Sequence, residues 1–152
     1  MKEYIHPGEQ LVVVLYVRDI KKSKEFFKTF GFTVGRDEGT FVELRWESSL
    51  LFLEQREDGP APGSYPVGNI RVMVPNVDDY WALAKRLGVP VANPIGDRYY
   101  GIRDFVVMGP DGLNLRFATR LADLRRGLGD GGVEQKVKRN KNGASPTSSA
   151  VR

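Results

Sequence analysis

The sequence predicts an α+β fold that consists of two tandem βαβββ modules. Two segments of equal length, residues 17–31 and 74–88, each lead from an apolar run through an amphipathic helix to a glycine. A shift of 57 residues also superimposes the apolar runs that precede them, for example Val13 on Ile70. Three strand-like runs follow each segment. Two copies of one pattern in a chain of 152 residues indicate a duplicated module.

The first module begins with residues 10–17, an apolar, β-branched run that predicts a strand. Asp19 is a predicted N-cap for a helix over residues 20–30, which Gly31 ends. Three short strands are predicted next, at about residues 32–37, 40–46 and 49–55. Residues 56–68 are polar and rich in Pro and Gly, which indicates a connection between the modules.

The second module repeats this order. Residues 69–74 predict a strand, and Asn76 follows as an N-cap. The predicted helix covers residues 77–87 and ends at Gly88. A strand at about residues 89–95, a loop over residues 96–101, a hairpin over residues 103–119 and one or two helical turns within residues 121–128 complete the module.

The hairpin turns at Gly-Pro-Asp-Gly, where Pro110 presets φ and Gly112 allows a positive φ. Alternation along its second strand sends Leu113, Leu115 and Phe117 to one side and Asn114, Arg116 and Ala118 to the other. One side therefore suits a core. The other side carries a permanent charge, Arg116, in the middle of a strand.

The four strands with the clearest alternation have one uniformly apolar side, which should pack on the helices. The other side is mixed and contains Val12, Val14, Tyr16, Leu50, Phe52, Glu54, Asn69, Arg71, Met73, Asn114, Arg116 and Ala118. A solvent-exposed face is normally more polar, and a second core would not tolerate unpaired charges. Apolar groups with a few convergent polar ones are typical of a small-molecule site.

The net charge of +4 is concentrated at the end of the chain. Residues 1–118 contain 15 Lys+Arg and 16 Asp+Glu, a net −1, whereas residues 119–152 contain 8 and 3, a net +5. A nearly neutral body argues against a nucleic-acid-binding face. We predict one domain over residues 1–128 and a disordered basic tail over residues 129–152. The basic run at residues 136–141 also suits contact with nucleic acid or a membrane surface.

The chain has no cysteine, which removes disulfides, thiolate metal sites and a cysteine nucleophile. It contains no apolar run of about 20 residues, and its first residues do not resemble a signal peptide. These features predict a cytoplasmic protein that does not enter a membrane.

The doubled pattern, the VRDI segment that opens a helix and the run GIRDFVVMGPDGLNLRF resemble the glyoxalase/bleomycin-resistance/extradiol-dioxygenase (vicinal oxygen chelate) family. The resemblance covers about residues 10–119, with modules at residues 10–55 and 69–119, and the hairpin is most similar to the bleomycin-resistance-like branch. It implies that eight strands form a curved, cup-like sheet with helices on its outer face. It also implies a small-molecule ligand and a homodimer.

Metal enzymes of that family hold the ion with His or Glu side chains. The resemblance places these positions at Val12, Glu54, Asn69 and Arg116. Val12 offers no donor atom and Arg116 is a permanent cation, so we predict no metal and no cofactor. The lone histidine, His6, lies in residues 1–9, a predicted irregular lead-in with a Pro-Gly turn, and is expected to be exposed.

Nine residues are candidates for ligand binding: Tyr16, Trp46, Phe52, Glu54, Asn69, Arg71, Tyr99, Tyr100 and Arg116. Tyr16, Trp46 and Phe52 suit stacking on a planar ligand, although core or dimer-interface packing explains them equally well. Tyr99 and Tyr100 lie in the loop that lengthens the second module. Asp104 does not suit a fully buried strand and is expected to reach either the cup rim or a backbone amide.

Arg116 and Glu54 occupy equivalent positions when the last strands of the modules are superimposed with a shift of 62 residues. They form either a structural ion pair that closes the cup or a clamp in which Arg116 holds a ligand carboxylate or amide.

These features and the resemblance together predict a metal-free protein that sequesters a small molecule. Bleomycin-resistance proteins confer antibiotic resistance in this way, by binding the drug. A neutral or anionic aromatic ligand fits Arg71 and Arg116 better than cationic bleomycin does. The alternative is an isomerase, lyase or thiol transferase in which Glu54 is the base and Arg116 stabilises an oxyanion. The sequence shows no nucleophile beside a base and no phosphate-binding loop.

Overall fold

The computed structural model describes residues 4–61, 66 and 68–125 and confirms two tandem βαβββ modules in an α+β fold. The predicted tail over residues 129–152, with its basic run, lies outside the described residues. None of the helices in the described part of the chain is long and apolar enough to cross a membrane.

The first module contains α1 (Pro7–Gln10), β1 (Val13–Val17), α2 (Ile20–Thr29), β2 (Thr33–Asp37), β3 (Phe41–Trp46) and β4 (Ser49–Gln55). Its strands form sheet A in the order β1-β4-β3-β2, with β1 parallel to β4. Asp19 caps α2 as predicted, since its carboxylate accepts a hydrogen bond from the Lys22 amide. The lead-in is a short helix rather than irregular chain, because the His6 ring accepts a hydrogen bond from the Gly8 amide and caps it.

The second module contains β5 (Asn69–Met73), α3 (Val77–Leu87), β6 (Val91–Asp97), β7 (Ile102–Met108), β8 (Asn114–Arg120) and α4 (Leu121–Arg125). Its strands form sheet B in the order β5-β8-β7-β6, with β5 parallel to β8. Asn76 caps α3, and Gly88 ends it with a φ of 67°. Strand β6 extends beyond its predicted end because Gly96 and Asp97 pair with β7.

The two modules share one hydrophobic core. Phe30, at the end of α2, lies 5.1 Å from the ring of Phe117 on β8, and Tyr80 of α3 lies 6.0 Å from Trp46 on β3. Each sheet therefore has a core face, which carries fully buried residues such as Leu53. We call the opposite side of each sheet its open face. Because both core faces turn toward the same core, the two open faces point away from it.

The burial pattern follows the predicted alternation with three exceptions. Ala118, assigned to the mixed side, is fully buried. Val13, assigned to the core face, is 55% exposed because it lies at the first position of β1, at the edge of the core. Leu87, expected on the inner side of its helix, is 45% exposed because it is the last residue of α3. The buried residues of that helix include Tyr80, Leu83 and Ala84.

A polar contact also joins the modules. Ser23 of α2 is fully buried, and its hydroxyl lies 2.7 Å from both carboxylate oxygens of Asp111, in the turn between β7 and β8. Burial raises the pKa of Asp111, and Asp19 acts in the same direction, whereas the Ser23 hydroxyl and Lys22 oppose the shift.

Replacing Asp111 with Asn tests this link. A carboxyl whose pKa is raised on folding adds stability below its unfolded pKa of about 3.8, and that contribution disappears as pH rises through the folded pKa. We therefore expect the free energy of unfolding of the wild type, relative to Asp111→Asn, to fall between pH 3 and pH 7 in urea titrations. Ser23→Ala should steepen this dependence, because it removes an interaction that lowers the pKa. Parallel curves for wild type and Asp111→Asn would contradict the assignment.

Candidate functional site

The open face of sheet B carries a row of paired polar residues on its parallel strands, the edge strand β5 and its neighbour β8. Strand register pairs Asn69 with Asn114 and, two residues further along, Arg71 with Arg116. Alternation along each strand places both pairs on the same face. Two amides and two guanidiniums thus stand next to each other on an exposed sheet.

A buried carboxylate holds one of these arginines in place. Asp104 of β7 is 2% exposed and lies on the open face, where it pairs with Ala118 of β8. Its Oδ1 accepts a 2.7 Å hydrogen bond from Nε of Arg98, and its Oδ2 accepts one of 2.7 Å from Nε of Arg116. Nη2 of Arg116 donates to the same oxygen. One buried carboxylate therefore pairs with two guanidiniums, which satisfy its buried charge.

Arg116 is fixed by Asp104 and by the loop that precedes β7. Its Nη2 donates a 2.7 Å hydrogen bond to the Tyr100 hydroxyl, and its guanidinium carbon lies 6.0 Å from the centre of the Tyr100 ring. Burial lowers the pKa of Arg116, but hydrogen bonding and attraction from Asp104 outweigh this, so its pKa is raised overall. Within the described part of the chain, Nη1 of Arg116 donates no hydrogen bond.

The loop also places a tyrosine in solvent. Tyr99 is fully exposed and packs edge-to-face on the half-exposed ring of Tyr100, with 5.1 Å between ring centres. The loop is closed by a 3.0 Å hydrogen bond from the Gly101 amide to the Arg98 carbonyl. The predicted pair of loop tyrosines is therefore brought to the arginine cluster.

The open face of sheet A is aromatic. Strand register places Tyr16, Phe52 and Phe41 on this face. The rings of Phe41 and Phe52 meet edge-to-face at 5.2 Å. Arg56 lies over the Tyr16 ring at 4.6 Å and Arg36 over the Phe41 ring at 4.8 Å, both in cation–π geometry.

The predicted contact between Glu54 and Arg116 is not made within the chain. The nearest ion pair of Glu54 is with Arg56, at 3.9 Å, and Arg116 instead binds Asp104. The physical reason is the shared core: Glu54 and Arg116 lie on open faces of different sheets, which point apart. Glu54 keeps a side-chain exposure of 43%.

The proposed equivalence of Glu54 and Arg116 is also wrong. Val14 pairs with Phe52, and Arg71, which lies 57 residues after Val14, pairs with Arg116. Strand register thus matches Arg116 with Phe52, not with Glu54. The two-residue loop between β3 and β4 is replaced by a five-residue loop between β7 and β8, so a constant shift does not hold through the last strand.

Trp46 does not lie on an open face. It points to the same side of β3 as the buried residues Val42 and Leu44. The centre of its ring lies 5.0 Å from that of Phe32 and 6.3 Å from that of Phe117. Trp46 therefore contributes to the shared core, which was the alternative explanation for this residue. The alternation of side chains along β3 is the sequence signal that places Trp46 on the core face.

Sequence analysis missed Arg98, Arg56 and Phe41. Phe41 could have been found from alternation, because it lies one residue before the buried Val42. No periodic signal marks Arg98 or Arg56, since Arg98 lies in a loop and Arg56 follows the last residue of β4. Asp104, expected at the cup rim or against a backbone amide, is instead buried and binds the side chains of Arg98 and Arg116.

The residues at the family's metal-ligand positions do not fit a divalent ion. Val12 is apolar, and Arg116 brings a guanidinium that is already bound to Asp104. The described residues contain no group of three or more His, Cys, Asp or Glu that could hold a metal ion. Glu54 and Asn69 alone supply too few donors for stable coordination.

Residues 10–117 match the family model of the Glyoxalase/Bleomycin resistance protein/Dioxygenase superfamily. No curated protein matches the chain.

Several solved structures have the same fold. A glyoxalase/bleomycin resistance protein/dioxygenase from Nocardioides is 17% identical with a TM-score of 0.62, over 77% of this chain and 86% of that one. TioX from Micromonospora sp. ML1 is 19% identical with a TM-score of 0.62, over 75% and 100% of the two chains. A bleomycin resistance determinant encoded on the transposon Tn5 is 16% identical with a TM-score of 0.58, over 74% and 98%. At these identities the likeness shows the fold.

Asp104→Asn should destabilise the protein by about 3 kcal/mol, because it leaves two partly buried guanidiniums beside a neutral amide. The measurement is urea unfolding at pH 7. Asp97→Asn is the matched control on the same sheet, since Asp97 pairs with Arg103 but is 60% exposed and should contribute less than about 1 kcal/mol. Equal losses in the two variants would contradict the central role of Asp104.

Elemental analysis of protein purified without chelators should find no stoichiometric divalent metal, because the donor set is too small. One ion per chain would contradict this expectation. Glu54→Gln would then show whether the ion depends on the one carboxylate at the predicted positions.

Proposed function

The chain belongs to the glyoxalase/bleomycin resistance protein/dioxygenase superfamily, and from this premise we propose that it captures a planar aromatic small molecule stoichiometrically. The observation that supports this proposal is the composition of the two open faces. One presents aromatic rings, and the other presents arginines that Asp104 and Tyr100 already hold in place. Aromatic and apolar walls with a few oriented polar groups suit ligand capture.

The aromatic wall is accessible. Tyr16 is 49% exposed, and Phe52 is partly exposed beside it. Flat rings on a rigid sheet lose little conformational entropy when a planar ligand stacks on them. Arg56 and Arg36 flank these rings and extend the surface available to an aromatic ligand.

The proposed functional unit is a homodimer. The open faces leave apolar side chains on the edge strands uncovered: Val14 of β1 is 43% exposed and Met73 of β5 is 41% exposed. Because the open faces of one chain point apart, they cannot enclose a ligand together. A second copy would bring the aromatic face of one chain over the arginine face of the other and form a closed cup.

The charge of the arginine face favours a neutral or anionic ligand. Arg71, Arg98 and Arg116 against Asp104 give a formal net charge of +2. A cationic drug such as bleomycin would be repelled by this face. We therefore assign no specific drug, and the proposed antibiotic-resistance role rests on capture of some other aromatic compound in the cytoplasm.

Binding fits the geometry better than turnover. The enzyme alternative needs Glu54 as base and Arg116 as oxyanion stabiliser; the two do not meet within one chain, and only a second chain would bring them together. The Glu54 side chain is 43% exposed, and its ion-pair partner is Arg56. Asp104 is committed to two arginines.

Isothermal titration calorimetry with 2-naphthamide, a neutral planar probe, should show one site per chain and no chemical conversion of the probe. Tyr16→Ala should weaken binding by about 1 kcal/mol, roughly fivefold, because it removes a stacking ring. Tyr4→Ala is the matched control, since Tyr4 is 95% exposed and precedes sheet A. Absence of binding to naphthamide and other planar probes, or equal effects of the two variants, would overturn the proposal.

A further inference from the structure

Two arginines oppose each other on the open face of sheet B without a shared counter-charge. Arg71 and Arg116 are directly paired in register on strands that lie about 4.8 Å apart. Like charges in this position repel each other and destabilise a sheet. Arg71 is exposed, and it forms no ion pair with any residue that the structure describes.

The guanidinium of Arg116 has one nitrogen, Nη1, without a hydrogen-bond partner among the described residues. Nε and Nη2 serve Asp104 and Tyr100, whereas Nη1 makes no hydrogen bond within the described residues. The Arg116 side chain is 20% exposed. An oxyanion placed between Arg71 and Arg116 would relieve their repulsion and accept hydrogen bonds from both.

The neighbouring pair in this row adds uncharged hydrogen-bonding groups. Asn69 and Asn114 are paired two residues before the arginines and lie on the same face. Their amides can donate to a second oxygen of the same ligand or orient its ring substituents. Two arginines beside two amides match a planar carboxylate better than a cation or an apolar group.

We propose that Arg71 and Arg116 form an anion site that binds the carboxylate of the captured ligand. This inference rests on the proposed function and narrows its ligand class to planar aromatic carboxylates. Asp104 acts as a positioning residue: it neutralises part of the local charge and fixes Arg116 before the ligand arrives, so that less side-chain entropy is lost on binding.

A second chain could supply the same chemistry from a protein carboxylate. Glu54 lies on the open face of sheet A, which is the face proposed to cover sheet B in a dimer. A carboxylate of a small ligand and Glu54 of a second copy would therefore compete for the two arginines. We favour the ligand, because Glu54 already lies 3.9 Å from Arg56 in its own chain.

The test compares 2-naphthoate with 2-naphthamide, which have the same ring system but differ in charge. Calorimetry of the full chain in low salt should show naphthoate binding about tenfold more tightly, as expected for charge-assisted hydrogen bonds. Arg71→Gln should remove this preference, so that the variant binds naphthoate and naphthamide with similar affinity. Arg86→Gln, which removes the same charge from the exposed last turn of α3, should keep the preference.

A second measurement does not depend on aromatic capture. Titration with formate, followed through the Nε–H resonances of isotope-labelled protein, should shift the Arg71 and Arg116 signals saturably and spare Arg86. If naphthamide and naphthoate bind equally, the anion site is wrong while aromatic capture stands. If neither binds but formate shifts the two arginines, capture is wrong while the anion site stands.

The absence of a saturable formate response at Arg71 and Arg116 also overturns the anion site. Where the two probes bind equally, sedimentation tests whether a second chain occupies the site instead. Loss of dimerisation in both Arg71→Gln and Glu54→Gln would show that Glu54 of a second chain fills it.

Discussion

One core shared by two sheets sets the arrangement of everything else in this protein. Phe30 of α2 and Tyr80 of α3 both pack on Phe117 of the second sheet, and Trp46 links the first sheet to the same cluster. One face of each sheet packs against this core. The remaining faces point apart, so the chain alone cannot build a closed cup. Its geometry thus accounts for exposed rings on one side and exposed arginines on the other.

Asp104 then determines the chemistry of the second open face. A buried carboxylate needs an ion-pair partner, and the Asp104 carboxylate has two. These are Arg98, which lies in a loop, and Arg116 of β8. The same contacts hold Arg116 in a defined orientation next to Arg71. In the proposed anion site, stability and ligand recognition would be linked through one side chain, since Arg116, which pairs with Asp104, would also donate to the ligand.

Local signals in the sequence predicted most of the fold. Asp19 and Asn76 cap the two helices where expected, and Gly88 ends the second with a positive φ. Alternation along β3 also indicates that Trp46 lies on the core face, because it is separated from Val42 and Leu44 by an even number of residues.

Non-local contacts in the site were not predictable in the same way. The partner of Arg116 comes from a strand joined to β8 by a five-residue loop, and Arg98 lies in an irregular loop that no period describes. The loop length also shifts the register by which β8 pairs with β5, which is why Glu54 was matched to the wrong residue. A crystal structure of the protein with 2-naphthoate tests the central claim most directly. We predict the carboxylate between Arg71 and Arg116 and the ring against Tyr16 and Phe52 of a second chain. A ligand bound away from both open faces would contradict the account.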